Sequence, residues 1–150
     1  MRKKFIGVWT LVYYKILKED GSLFSYPFTK NCKGHIIYSK EGRMSALLMD
    51  PTRPVFAIPH TWKGTPEEMK KAFRGYTSYS GKFDVEENKV IHHVDMSLFP
   101  NWIGTDLIRR FEFSSDEREL LLSTELFDAG KALKLQHVLL WEKTEGNVKF

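Results

Sequence analysis

From Tyr79 onward the chain alternates apolar and polar residues with a period of two, and that alternation leaves few folds open to it. Tyr79, Gly81, Phe83 and Val85 form one set; Ser80, Lys82, Asp84 and Glu86 form the other. Successive strand residues point to opposite faces, so one wall of this sheet belongs in a core and the other in water. A turn at Glu86–Lys89 leads into a second strand, Val90–Ser97. If that turn closes a four-residue loop, Val85 stands opposite Val90 and Phe83 opposite His92, which gathers both apolar sets on one side. Strands at 105–113, 119–126 and 133–143 follow, separated by a compact break at Ser97–Thr105 and by turns at Ser115–Arg118 and Asp128–Gly130.

The first half reads the same way, with one interruption. Residues 5–17 make a long strand with two apolar faces, so cover is expected on its outer face as well. The turn signal Asp20-Gly21 leads into a strand at 23–29, and strands at 34–39 and 43–49 are joined through Lys40-Glu41-Gly42. Residues 50–64 break the alternation, with prolines at 51, 54 and 59. A connection this long is more often functional than accidental, and lids are the common case. It ends in Thr65-Pro66-Glu67-Glu68, where threonine caps, proline takes the first helical position and Glu68 completes a capping box. Met69, Ala72, Phe73 and Tyr76 then recur at helical spacing, predicting a helix over about 65–77 whose apolar stripe packs on the sheet.

Short strands joined mainly by tight turns pair antiparallel with their sequence neighbours, and closing the sheet removes its exposed edges. The predicted fold is mainly β: a closed up-and-down antiparallel barrel of about 8–10 strands, with one helix inserted mid-chain. A length of 150 residues suits a single domain over 1–150.

Composition narrows the partners. The net charge is +4, with basic and acidic residues interspersed, so the clustered stripe of a nucleic-acid binder is missing. No apolar run reaches the ~18 residues of a spanning helix, and no membrane partner is expected. The start, MRKKFIGVWT, imitates a signal peptide but lacks a small-residue cleavage site, and it reads as a mature first strand. Cys32 is the single cysteine, which points to a reducing, cytoplasmic setting. No glycine-rich phosphate loop and no metal-ligand spacing occurs, so no cofactor and no metal is expected. Monomer and homodimer both stay open.

Three ionisable residues intrude on otherwise apolar strand faces. His92 shares a face with Val90, Val94 and Met96; Arg109 with Leu107, Phe111 and Phe113; His137 with Leu133, Leu135, Leu139 and Trp141. A buried polar group costs several kcal/mol unless partnered, so three such intrusions mark a candidate site. Turned inward, Arg109 is a fixed cation for a carboxylate, enolate or phenolate oxygen, and His92 or His137 a general acid or base. Tyr79 supplies a hydrogen bond, while Phe83, Met96 and Phe111 extend the ligand-binding wall. Trp102 either caps the mouth together with Trp62 from the long connection or plugs the barrel end. The competing account places these polar groups at a rim or pairs them internally. His92-His93 is not a metal pair, because adjacent strand residues face opposite ways.

Gly7-Val8-Trp9 resembles the opening of lipocalin-type barrels, whose G-x-W tryptophan closes one end of the calyx. The stretches GHIIYSKEGRMSALLMDPTRPVF, GTPEEMKKAFRGYTSYSGKFDV and HHVDMSLFPNWIGTDLIRRFEF extend the likeness over nearly the whole chain. Together they resemble the bacterial and fungal lipocalin-like domain family. The resemblance implies a closed barrel around a cavity for a small hydrophobic molecule; barrels of this kind often accompany biosynthetic genes, and some act as cofactor-free isomerases or cyclases. A cysteine pair is missing and the helix lies mid-chain, so secretion and carriage as in the secreted lipocalins do not transfer. The expected function is binding of a polyketide-, terpenoid- or aromatic-like molecule with an acidic or carbonyl oxygen. The alternatives are a cofactor-independent isomerase or cyclase, and a barrel filled by its own aromatics.

Overall fold

A computed structural model of the chain describes residues 1–146; the last residues of the expected domain, 147–150, lie outside the described ones. Ten strands run in chain order as β1 (Gly7–Lys18), β2 (Leu23–Ser25), β3 (Lys33–Tyr38), β4 (Arg43–Met49), β5 (Tyr76–Glu86), β6 (Lys89–Ser97), β7 (Asp106–Phe113), β8 (Glu119–Ser123), β9 (Phe127–Asp128) and β10 (Lys134–Lys143). Helix α1 (Pro66–Arg74) lies between β4 and β5. Eight strands close a barrel in the order β1-β3-β4-β5-β6-β7-β8-β10, and β10 returns to pair with β1. The short β2 and β9 extend one end, beside the far halves of β1 and β10. The expected mainly β barrel is therefore the observed one.

Register follows the hydrophobic pattern where the strands are regular. Val85 faces Val90 and Phe83 faces His92 across the β5–β6 hairpin, as the alternation requires. Two bulges between barrel strands then change the phase. The first, between Leu11 and Tyr13, sets Val12 aside, so Trp9 and Leu11 point inward but Tyr14 takes over beyond it. The cover expected over the outer face of β1 is not found among the described residues, where Val8 and Val12 are exposed. The second bulge pairs Gly81 with Val94 but Ser80 with Met96, leaving Asp95 as the extra residue. Met96 is turned to the outside, where it is 60% exposed, although the sequence pattern put it on the inner wall.

The helix also differs from expectation. The capping box at Thr65 and Glu68 forms as predicted, but the helix stops at Arg74 with Gly75 as its cap. Tyr76 is already the first residue of β5, because pairing with Met49 holds it in the sheet. Met69 and Phe73 stay largely exposed, so the stripe does not pack into the barrel. The helix is clasped to the preceding loop instead: Arg53 donates to the Ala72 carbonyl at 3.0 Å, and Glu68 accepts from the Ala57 amide at 2.8 Å.

An aromatic plug seals one end. A single 3₁₀ turn at Arg2–Lys4 delivers Phe5, fully buried, into an edge-to-face cluster with Tyr38, Phe111 and Phe113 at centroid distances of 5.2, 4.9 and 5.0 Å. Trp9 donates its indole N–H to the Phe5 carbonyl at 2.8 Å. Gly7 sits at φ 133°, a conformation that side chains rarely adopt, and so lets the chain turn from the plug into β1. The G-x-W sequence thereby joins a hinge to a seal.

A side chain at position 81 would put its Cβ 1.7 Å from the His93 carbonyl oxygen, which is backbone and cannot yield. Gly81→Ala is expected to lower stability by about 2 kcal/mol or more. Urea unfolding of the two proteins checks this; an unchanged midpoint would mean the bulge is dispensable.

Candidate functional site

Beyond the plug the barrel holds a cavity of about 200 Å³. Ile36, Ala46 and Leu48 from β3 and β4, and Leu122, Leu139 and Trp141 from β8 and β10, make its apolar wall. Five polar side chains break that wall: Tyr14 from β1 past its bulge, Thr77 and Tyr79 from β5, Arg109 from β7 and His137 from β10. Pro27 and Phe28 of the β2–β3 connection and Trp102 of a 3₁₀ turn (Pro100–Trp102) complete the lining. Trp102 stands edge-on to Tyr79 at 5.7 Å. Larger hollows lie on the exterior, such as a groove of about 700 Å³ between residues 26–29 and α1, but they are open to solvent.

Behind Tyr79 lies His92, 1% exposed. The Tyr38 hydroxyl is 2.8 Å from its Nε2 and the Tyr79 hydroxyl 3.0 Å from its Nδ1. Burial first, and then the nearby Arg109 cation, push the His92 pKa down to about 3, so the ring is neutral near pH 7. His137 is the second imidazole, with the Tyr14 hydroxyl 2.6 Å from its Nδ1 and Phe127 stacked on it at 5.3 Å. Burial, then Arg109, lowers its pKa as well. Burial pushes the Tyr14 phenol up to about 12, which keeps it protonated.

Arg109 donates to the Ile108 carbonyl at 2.9 Å and forms no ion pair among the described residues. A half-buried cation on an apolar wall without a carboxylate is an electrostatic offer to an oxygen-bearing ligand. Trp141 adds a buried indole N–H that has no partner among the described residues. Among the described residues no group of three or more His, Cys, Asp or Glu is placed to hold a metal ion.

Residues 6–144 match the family described as the lipocalin-like domain. The chain belongs to that family. A curated relative, the 4'-hydroxy-3'-methoxypropiophenone carrier protein ppsC of Aspergillus oryzae (strain ATCC 42149 / RIB 40), is 36% identical over 108 residues, which span 67% of this chain and 96% of the relative. A solved structure, that of a lipocalin-like protein from Bacteroides uniformis ATCC 8492, aligns with a TM-score of 0.47 and 14% identity over 94% of this chain and 99% of that one. A lipocalin-like barrel and a relative named as a carrier together support small-molecule binding. No helix among the described residues is long and apolar enough to cross a membrane.

Of the residues expected at the site, this lipocalin-like domain gathers Tyr79, Trp102, Arg109 and His137 around one cavity. His92 sits one layer back, and it is partnered by tyrosines rather than by a carboxylate. Phe83 and Phe111 are buried in and beside the plug, below the cavity rather than on its wall. Met96 is outside through the β6 bulge, and Trp62 is 84% exposed on a loop that contributes no residue to the lining. His93 faces outward as expected, between Asp106 at 2.7 Å and Asp84 at 2.9 Å. Sequence reasoning missed Tyr14, hidden by the bulge, and Phe28, which no alternation places. Tyr38 was within reach, since it shares a strand face with Ile36.

The histidines predict an acid-labile fold. The neutral His92 favours the folded state fully above its unfolded pKa near 6.5, and this contribution is lost as pH falls toward about 3. Its full extent is on the order of 5 kcal/mol. His137 acts in the same direction. His93, raised by Asp106 and then Asp84, acts oppositely, its contribution fading as pH rises through its raised value, but it is exposed and weak. Urea midpoints measured from pH 7 to pH 4 are expected to fall steeply in the native sequence and less so in His92→Gln. Parallel curves would refute the assignment.

Proposed function

We propose that this chain binds and carries a small aromatic molecule, about one ring in size, that bears a carbonyl, phenolic or ether oxygen. The observation that carries the reading is Arg109, a cation with no carboxylate partner among the described residues, on the wall of a largely apolar cavity of about 200 Å³. That volume lies below the ~300 Å³ at which typical ligand pockets begin, which favours a compact ligand over a long acyl chain or a fused polycycle. The chain's own aromatics fill the plug end and leave the other end open to a guest.

The relative's name supports the same chemistry, since a hydroxy-methoxypropiophenone is an aryl ketone with a phenol and a methyl ether. It also brings back a carrier role that the missing cysteine pair and the mid-chain helix argued against. The aromatic class is accordingly preferred to the terpenoid and polyketide classes. A lone buried thiol, Cys32, supports a reducing, cytoplasmic place of work. Carriage is favoured over isomerase or cyclase chemistry because His92 is neutral and one layer back from the cavity, leaving His137 as the only imidazole on the wall among the described residues.

Trp102 and Trp141 line the cavity, so their fluorescence reports occupancy. 4'-Hydroxy-3'-methoxypropiophenone is expected to quench it saturably and to be recovered chemically unchanged. Arg109→Leu should weaken that binding about tenfold or more, the worth of a hydrogen bond to a charged group, with the melting temperature preserved. Equal affinity of the two proteins rejects the role of Arg109; a converted product rejects simple carriage.

A further inference from the structure

The tyrosine–histidine–tyrosine chain has a direction, and the burial of its members decides it. A neutral imidazole carries one hydrogen, so one ring nitrogen donates and the other accepts. Tyr38 is 1% exposed, and among the described residues its hydroxyl has no hydrogen-bond partner but His92 Nε2. If Nε2 carried the hydrogen, the Tyr38 O–H would be buried with nothing to donate to, a loss that sealed sites avoid. Tyr38 therefore donates to Nε2, and the ring hydrogen resides on Nδ1. Nδ1–H in turn donates to the Tyr79 oxygen at 3.0 Å. Tyr79 is left with an unspent O–H, and Tyr79, unlike Tyr38, lines the cavity.

We propose that Tyr38 and His92 are positioning residues that fix the Tyr79 hydroxyl as a hydrogen-bond donor to the cavity, so that the site selects ring molecules presenting an acceptor oxygen. Its ligand half rests on the carrier reading. Arg109, which can only donate, and the unpartnered indole N–H of Trp141 give the same wall the same polarity. His92 stays neutral throughout the physiological range, so the direction of the chain is constant there. A ligand with a carbonyl, ether or phenolate oxygen completes these donors, whereas a hydrocarbon of equal shape leaves them bare.

Two measurements on the full chain test this separately. In the ligand-free native protein, long-range ¹H–¹⁵N correlation of the imidazoles reports which nitrogen of His92 carries hydrogen. Nδ1 protonation is expected, and a hydrogen on Nε2 overturns the proposal without reference to any ligand. Titration with acetophenone and with ethylbenzene, which differ at the carbonyl, should favour the ketone on the order of tenfold or more. Tyr79→Phe should cut that ratio severalfold. A ratio that Tyr79→Phe does not move overturns the role of Tyr79. Failure of both probes, and of the hydroxy-methoxypropiophenone, overturns the carrier reading and the selection built on it, while the imidazole spectrum still decides the direction of the chain.

Discussion

The ladder between β1 and β10 pairs Trp9 with Lys143 and Lys18 with Leu135, residues more than a hundred positions apart, and everything else in the barrel depends on it. Each remaining strand pair is local or nearly so and could form as an open meander. Only this one turns the meander into a ring, at the entropic cost of closing almost the whole chain. Once it forms, no long hydrogen-bonding edge is left, and the inner faces of eight strands share one interior. Burial of Phe5, Trp9 and Trp141 against that interior offsets the cost of closure.

Closing a sheet into a small barrel demands strong local twist, and the two bulges provide it. Each also decides which side chains meet. The bulge at Val12 turns Tyr14 inward to His137, and the one beside Gly81 expels Met96 while keeping Tyr79 in contact with His92. The site is thus a consequence of how the sheet curves. Lining and curvature come from the same irregularities.

Inside the ring, solvation sets the chemistry. Two imidazoles and two phenols that would titrate in water near their ordinary values are held neutral by burial, and one guanidinium stays charged because its pKa lies far beyond reach. The result is a wall with a single fixed charge and oriented hydroxyl and N–H dipoles. Such a wall accords with the proposed recognition of a ligand by hydrogen bonds. Apolar rings around it lower the local polarity, which strengthens polar contacts made there.

Alternation along 79–97 and 105–143 was enough, with the turn residues between, to indicate an antiparallel barrel, its helix insertion and the inward placement of Arg109 and His137. These are properties of local pattern, because the period of a strand is written residue by residue. Phase errors entered wherever a bulge inserted one residue, since a slip of one exchanges the two faces, and a lone Gly81 was the only local sign of it. The sequence could say that His92 would be buried, but not that two tyrosines from strands far apart in the chain would satisfy both its nitrogens. That pairing, the exposure of Trp62 and the helix stripe, and the size of the cavity were decided by tertiary structure, because each depends on the curvature of the closed ring and not on any single strand.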